Sequence, residues 1–186
     1  MGLSWMDSHR SREMFLRLYQ FQNQDGLMPM GVQIDPEVPF NDMRNCFHRD
    51  INIWGPIALE VYINETGDLT VLDEKVPFAD SKEKATLYDH ICRGLQWQLN
   101  DRSERGLSLM GEGDWNDPLN MVGYKGKGES VWLTLALSVG LSTWSRILDQ
   151  RGENKYADAC RKDAQRCLDT ADKYGWNGDW YVRGFT

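Results

Sequence analysis

Glu129-Ser130-Val131-Trp132-Leu133-Thr134-Leu135-Ala136-Leu137-Ser138-Val139-Gly140-Leu141-Ser142-Thr143-Trp144-Ser145-Arg146-Ile147-Leu148-Asp149-Gln150 is the stretch that decides the fold class. It reads as one helix, starting near Glu129 or Ser130 and ending near Gln150, with Val, Trp, Leu and Ala on most of its circumference. A helix with so little polar face must be covered by other helices. The rest of the chain supplies them. A helix over about 9–22 sets Met14, Phe15, Leu18 and Tyr19 on one face. A second, over about 50–64, carries Trp54, Ala58, Val61 and Tyr62 at helical spacing and is ended by Thr66-Gly67-Asp68. A third, over about 84–99, repeats Leu87, Ile91 and Leu95, and a fifth, over about 155–174, turns Tyr156, Cys160, Ala164, Cys167 and Ala171 inward. No series of alternating apolar residues marks a strand, so the expected class is all-α.

The connections are long and rich in glycine, proline and aspartate. Residues 23–45 hold three prolines and two glycines and read as loop, and 73–78 read as a connection. The most polar connection spans about 102–128. It contains Gly111-Glu112-Gly113-Asp114-Trp115-Asn116-Asp117, then Lys125-Gly126-Lys127-Gly128. Carboxylates, an indole and an amide crowded between glycines converge on a loop, as a sugar site requires. An aromatic plane covers a pyranose face while carboxylate and amide groups hold hydroxyls or move a proton.

At 186 residues the chain has room for one domain or part of one. Its hydrophobic share of 41% and charged share of 26% are globular values, and no segment reads as long and apolar enough to span a bilayer. A net charge of −7, with no basic run, opposes nucleic acid or an anionic membrane as partner. Cys46, Cys92, Cys160 and Cys167 are scattered without metal-site spacing, and His48 and His90 are too isolated to read as metal ligands. Free thiols, and an N-terminus with no leader pattern, set a cytoplasmic expectation.

Taken one at a time, the polar residues admit plainer roles. Asp114 and Asp117 fit turn formers or helix caps as well as acids. Trp115, however, has no evident core to fill, and Pro118 fixes the backbone just after Asp117, which suits a proton donor. Glu129 fits an acidic first turn complementing the helix dipole as well as a site residue. Lys125 and Lys127 suit an anion site or a solvated turn, and the spacing is not that of a phosphate-binding P-loop. Asp50, at the end of Arg44-Asn45-Cys46-Phe47-His48-Arg49-Asp50, fits an N-cap, while its cationic neighbours suit sugar hydroxyls or phosphate. Trp54, Trp97, Trp132 and Trp144 lie in apolar stripes and read as core.

Leu109-Met110-Gly111-Glu112-Gly113-Asp114-Trp115-Asn116-Asp117 and Gly126-Lys127-Gly128-Glu129-Ser130-Val131-Trp132-Leu133 together resemble the catalytic segment of glycoside hydrolase family 94, the inverting disaccharide and oligosaccharide phosphorylases. Arg49-Asp50 leading to Trp54, Glu65-Thr66-Gly67-Asp68, Leu72-Asp73-Glu74-Lys75-Val76-Pro77-Phe78 and Trp176-Asn177-Gly178-Asp179-Trp180-Tyr181 extend the resemblance collinearly from about Arg12 onward. It implies an (α/α)6 barrel of which residues 1–186 are one part, truncated at the C-terminus and without the family's N-terminal β-sandwich. It implies Asp117 as general acid, Trp115 as sugar contact, and Arg49, Asp50, Arg44 and Glu129 as substrate-binding residues. The activity implied is cleavage of a β-linked gluco-disaccharide or oligosaccharide by inorganic phosphate, with inversion to an α-glycosyl 1-phosphate. No cofactor and no metal are implied beyond phosphate as co-substrate, and a homodimer is expected of the full-length enzyme. The family's phosphate-binding elements lie farther along than this sequence reaches, so the segment alone is expected to be inactive. Pro118-Leu119-Asn120-Met121 departs from the Gly-Met-Asn-Arg continuation of many members and leans toward the cellobionic acid phosphorylase group, whereas Asn116 and Glu129-Ser130 fit the wider family better. Two other functions stay open on the residues: a noncatalytic carbohydrate-binding helical domain, and an inverting hydrolase on a similar barrel.

Overall fold

The apolar segment quoted above is a helix from Val131 to Gln150 in the computed structural model, which describes residues 6–31, 47–116 and 119–186. Among the described residues the first complete helix is α1 (Ser8–Tyr19), whose free N–H groups meet the Asp7 carboxylate at Arg10 N, 2.9 Å. Next come α2 (Ile51–Thr66) and a 3-10 turn (Thr70–Asp73), then β1 (Lys75–Pro77), β2 (Lys84–Thr86) and α3 (Leu87–Asn100). The polar connection carries β3 (Ser108–Leu109), the one-turn α4 (Asn120–Gly123) and β4 (Glu129–Ser130). Then follow α5 (Val131–Gln150), α6 (Asn154–Gly175) and β5 (Gly184–Phe185).

α5 is the centre of the packing. Its broadest contact is with α6 and its next with α2, and α3 closes a further side. Leu133, Leu137, Leu141, Trp144 and Ile147 are buried there against Ile53 and Leu59 of α2, Leu95 of α3 and Ala164 and Cys167 of α6. Each such side chain contributes roughly 1.5–3 kcal/mol by leaving water. The expectation that no segment is apolar enough to cross a membrane is corrected by this helix. Val131–Gln150 meets the length and composition, but most of it is buried inside the fold. The apolar girth is the mark of a core helix.

The class is all-α, and the packed helices form part of an (α/α)6 barrel. The strands went unforeseen because each is two or three residues long, too short to show alternation. β1 and β2 pair antiparallel through Val76 and Ala85. The third helix therefore starts at Leu87, where Thr86 and Asp89 form a reciprocal capping box, and not at Lys84. β3, β4 and β5 form a second antiparallel sheet in that order, with Ser130 opposite Ser108 on one side and Gly184 on the other. Tyr156 is 60% exposed, whereas the smaller Ala157 is buried in its place. Ala157, Ala164 and Ala171 recur every two turns, and their short side chains are what the interface with α5 buries.

A candidate sugar-binding site at the start of α2

The turn leading into α2 and the loop after β3 are built against each other. Arg49 N donates to Gly113 O at 2.8 Å, Phe47 N donates to the Glu112 carboxylate at 2.9 Å, and Met110 N donates to Gly128 O at 2.7 Å. Two glycines make the approach possible. Gly111 has φ 56° and lies against the Arg49 guanidinium; Gly113 has φ 151° and would place a Cβ 2.9 Å from His48 Nε2. The glycine spacing of the motif is thus set by two side chains of the α2 entrance.

Asp50 is 3% exposed, and its carboxylate makes no capping bond to the helix backbone. Its Oδ2 accepts the Trp54 indole N–H at 2.8 Å, while Oδ1 is buried and has no hydrogen-bond partner among the described residues. Burial pushes this carboxyl above its usual value; the nearby Asp114 charge adds to the rise, and the Trp54 bond opposes it. Asp50 is thus a buried acceptor for which no donor stands among the described residues.

Trp54 and Trp115 face each other above this acceptor, with ring centroids 5.2 Å apart and planes tilted by 51°. Trp115 is 65% exposed and Trp54 36%. With His48, Asp50 and Met30 they line an open cavity of about 390 Å³. An adjoining apolar cleft of about 260 Å³ shares Met30 and Trp54. Reading Trp54 as core is therefore corrected. Its position four residues after Asp50 on one helix face was the signal for its place in the site. Trp144 is core as expected, Trp132 is partly buried against it, and Trp97 lies beneath the Arg49 guanidinium at 4.8 Å.

Asp114 does different work from Asp50. It is fully buried, accepts Ser130 Oγ at 2.6 Å and Asn116 N at 3.1 Å, and is paired with Arg183. These partners fix the loop, and Asp114 itself forms part of the cavity wall. Ser130 Oγ also accepts Leu133 N at 2.9 Å, so the same hydroxyl caps α5.

The remaining expected residues divide. Arg49 points away from Asp50: its guanidinium lies 3.0 Å from Asp101, without hydrogen-bond alignment, and lines a second cavity of about 390 Å³ beside Glu112 and Tyr124. Glu129 is buried in β4 and paired with Arg105, which lies over the rings of Phe185 and Tyr174. Its side chain lines neither cavity. Ser130, and not Glu129, caps α5. Arg44, Cys46 and Asp117 lie outside the described residues; Trp115, two positions before Asp117 in sequence, lines the cavity. The three described cysteines, Cys92, Cys160 and Cys167, are free thiols.

Residues 2–186 match the model of the glycosyl hydrolase 94 superfamily catalytic domain. The chain is 41% identical over 186 residues to a cellobionic acid phosphorylase of Neurospora crassa, covering all of this chain and 23% of that protein. It is 31% identical to a 3-O-beta-D-glucopyranosyl-beta-D-glucuronide phosphorylase of Paenibacillus borealis, covering all of this chain and 24% of the relative. An N,N'-diacetylchitobiose phosphorylase of Vibrio furnissii is 29% identical over 74% of the chain. The chain thus spans about a quarter of the length of the first two relatives. Matched along almost its whole length by that family, the chain belongs to the catalytic domain of the glycosyl hydrolase 94 superfamily.

Proposed function

We propose that the protein carrying this segment is an inverting glycoside phosphorylase acting on a β-linked glucoside. The observation that supports this most is the buried Asp50 Oδ1, without a partner among the described residues, beside the Trp54 and Trp115 rings. A pyranose entering the cavity of about 390 Å³ covers the exposed Trp115 face and donates a hydroxyl to Oδ1. The ring is then fixed at the loop that leads to Asp117.

Asp117 protonates the glycosidic oxygen as the bond from that oxygen to the anomeric carbon breaks. A phosphate oxygen forms its bond to the same carbon from the opposite face, so a β-glycoside yields an α-glycosyl 1-phosphate and a free acceptor sugar. An inverting hydrolase needs a second carboxylate to activate water, whereas phosphate arrives already nucleophilic and dispenses with that base. Asp114, bonded to Ser130, Asn116 and Arg183, is not available to be such a base.

The finer reading is an acceptor that carries a carboxylate. Two relatives matched over the whole chain are named for a sugar acid, cellobionic acid in one and a glucuronide in the other. The test is phosphorolysis of cellobionic acid by the full-length protein, followed as α-glucose 1-phosphate. The product is expected only when phosphate is present, and Asp117→Asn is expected to abolish it with the fold retained. A nearly unchanged rate in that variant removes Asp117 from the role, and sugar release without phosphate selects a hydrolase.

A further inference from the structure

We propose that Arg183 is a positioning residue for the acid-bearing loop, acting through Asp114 and Ser130. This rests on the phosphorylase reading above for its chemical consequence, but the clamp itself is drawn from geometry. Arg183 lies 69 positions after Asp114 in sequence, and its two terminal nitrogens are divided between Asp114 Oδ1 and Ser130 Oγ, the latter at 2.9 Å. Ser130 Oγ gives its proton to Asp114 Oδ2 at 2.6 Å and accepts Leu133 N at 2.9 Å. The hydroxyl therefore has its one donor and both acceptor sites engaged. Asp114 Oδ1 also accepts Asn116 N at 3.1 Å, so the ring of bonds closes on the residue just before Asp117.

The clamp has a rigid mount at each end. Ser130 is the N-cap of α5, the helix with the most buried residues among those described. Arg183 immediately precedes β5; Val131 N donates to Arg183 O at 3.2 Å, and Gly184 would place a Cβ 2.4 Å from Glu129 O. Only a residue without a side chain lets the backbone beside Arg183 come so close to β4. Trp132 lies under the guanidinium at 5.4 Å and limits its swing. The loop with Trp115 is thereby tied to the core helix at one atom group, Asp114, and that group has no slack.

The hydrogen-bond inventory makes a sharp prediction for Asp114→Asn. If the amide nitrogen replaces Oδ2, it presents a donor to a hydroxyl whose acceptor sites are already taken. If it replaces Oδ1, it faces the Arg183 and Asn116 donors. Neither orientation satisfies the cluster, so the near-isosteric change is not silent. Arg183→Lys keeps the charge but reaches only one of the two acceptors well.

The experiment uses the full-length protein with Arg183→Ala, Arg183→Lys and Asp114→Asn, measuring phosphorolysis of cellobionic acid and amide hydrogen exchange in parallel. Arg183→Ala and Asp114→Asn are expected to lower kcat by about 100-fold, because a displaced acid is mistimed even when sugar still binds. KM is expected to stay within about threefold. Exchange should rise about tenfold at residues 111–116 and stay unchanged in α5 and α6. Arg183→Lys is expected to recover part of kcat, and guanidinium ion to rescue Arg183→Ala but not Asp114→Asn. A kcat within twofold of wild type, a loss confined to KM, or exchange rising through α5 and α6 as well would each overturn the proposal. Should the unaltered protein show no phosphorolysis, the functional reading fails, and exchange at 111–116 in Arg183→Lys and Arg183→Ala still decides the clamp.

Discussion

Trp54 and Trp115 meet with ring centroids 5.2 Å apart and planes tilted by 51°, one from a core helix and one from a loop. The helix partner is fixed by its bond to Asp50 Oδ2 at 2.8 Å, and the loop partner is the more exposed face of the pair. Trp115 is mostly exposed and contributes little to the fold. Trp115→Ala is therefore expected to raise the KM for a β-glucoside about tenfold, equivalent to roughly 1.4 kcal/mol of lost ring contact. The melting temperature should be unchanged. Steady-state kinetics and a thermal melt on the same sample check both halves, and an unchanged KM would remove Trp115 from the sugar site.

Asp50 gives a pH dependence whose sign follows from its burial. Its carboxyl is pushed above the unfolded value because the charged form loses hydration, so the native state holds a proton where the unfolded chain has released it. The unfolded state then binds fewer protons, and stability falls as pH rises from the unfolded carboxyl range through the folded value. Wherever Asp50 is ionised in the native state, its buried charge is a cost to the fold. Asp50→Asn is expected to raise the urea midpoint at pH 7, to make no difference in strong acid, and to weaken sugar binding. A midpoint that falls at pH 7 would show that the buried charge is satisfied after all.

Much of the fold was legible because it depends on local period. The apolar girth of Val131–Gln150, the four-residue repeat of Leu87, Ile91 and Leu95, and the Gly67 stop at φ 70° are all short-range signals. The motif loop was legible as a site for the same reason, since its polar residues are contiguous. What depended on tertiary placement was not. Arg49 and Asp50 are adjacent in sequence yet serve opposite sides of the loop, one beside Asp101 and one beneath Trp54. Nothing local separates Asp114 from the other loop carboxylates; Arg183 does, from the far end of the chain. Tyr156 was read inward from its apolar character, but the interface with α5 took the alanine face beside it.

The glycines after the motif test how closely the loop is packed. Gly123 would place a Cβ 1.9 Å from Gly111 O, a backbone atom that cannot move without shifting the Arg49 contact. Gly126 has φ 70° and open space around it. Gly126→Ala is expected to cost about 1–2 kcal/mol from backbone conformation alone. Gly123→Ala should cost more and also lower activity, because it displaces the loop at its base. Paired denaturation and activity measurements separate the two, and equal effects would contradict the packing.

Glu129 is where the resemblance and the placement part company. The resemblance assigns it to substrate, whereas its carboxylate is engaged by Arg105 between the rings of Phe185 and Tyr174, away from both cavities. Glu129→Gln keeps shape and removes charge, leaving one oxygen facing the guanidinium and replacing the other with a donor. Because Arg105 is partly exposed and is readily rehydrated, the expected loss is about 1–3 kcal/mol of stability. KM for the glucoside should stay unchanged, and Arg105→Ala should give a similar stability loss. A KM rise in Glu129→Gln that Arg105→Ala does not reproduce would return Glu129 to the sugar; a shared loss of stability with intact KM places it in the sheet that anchors α5.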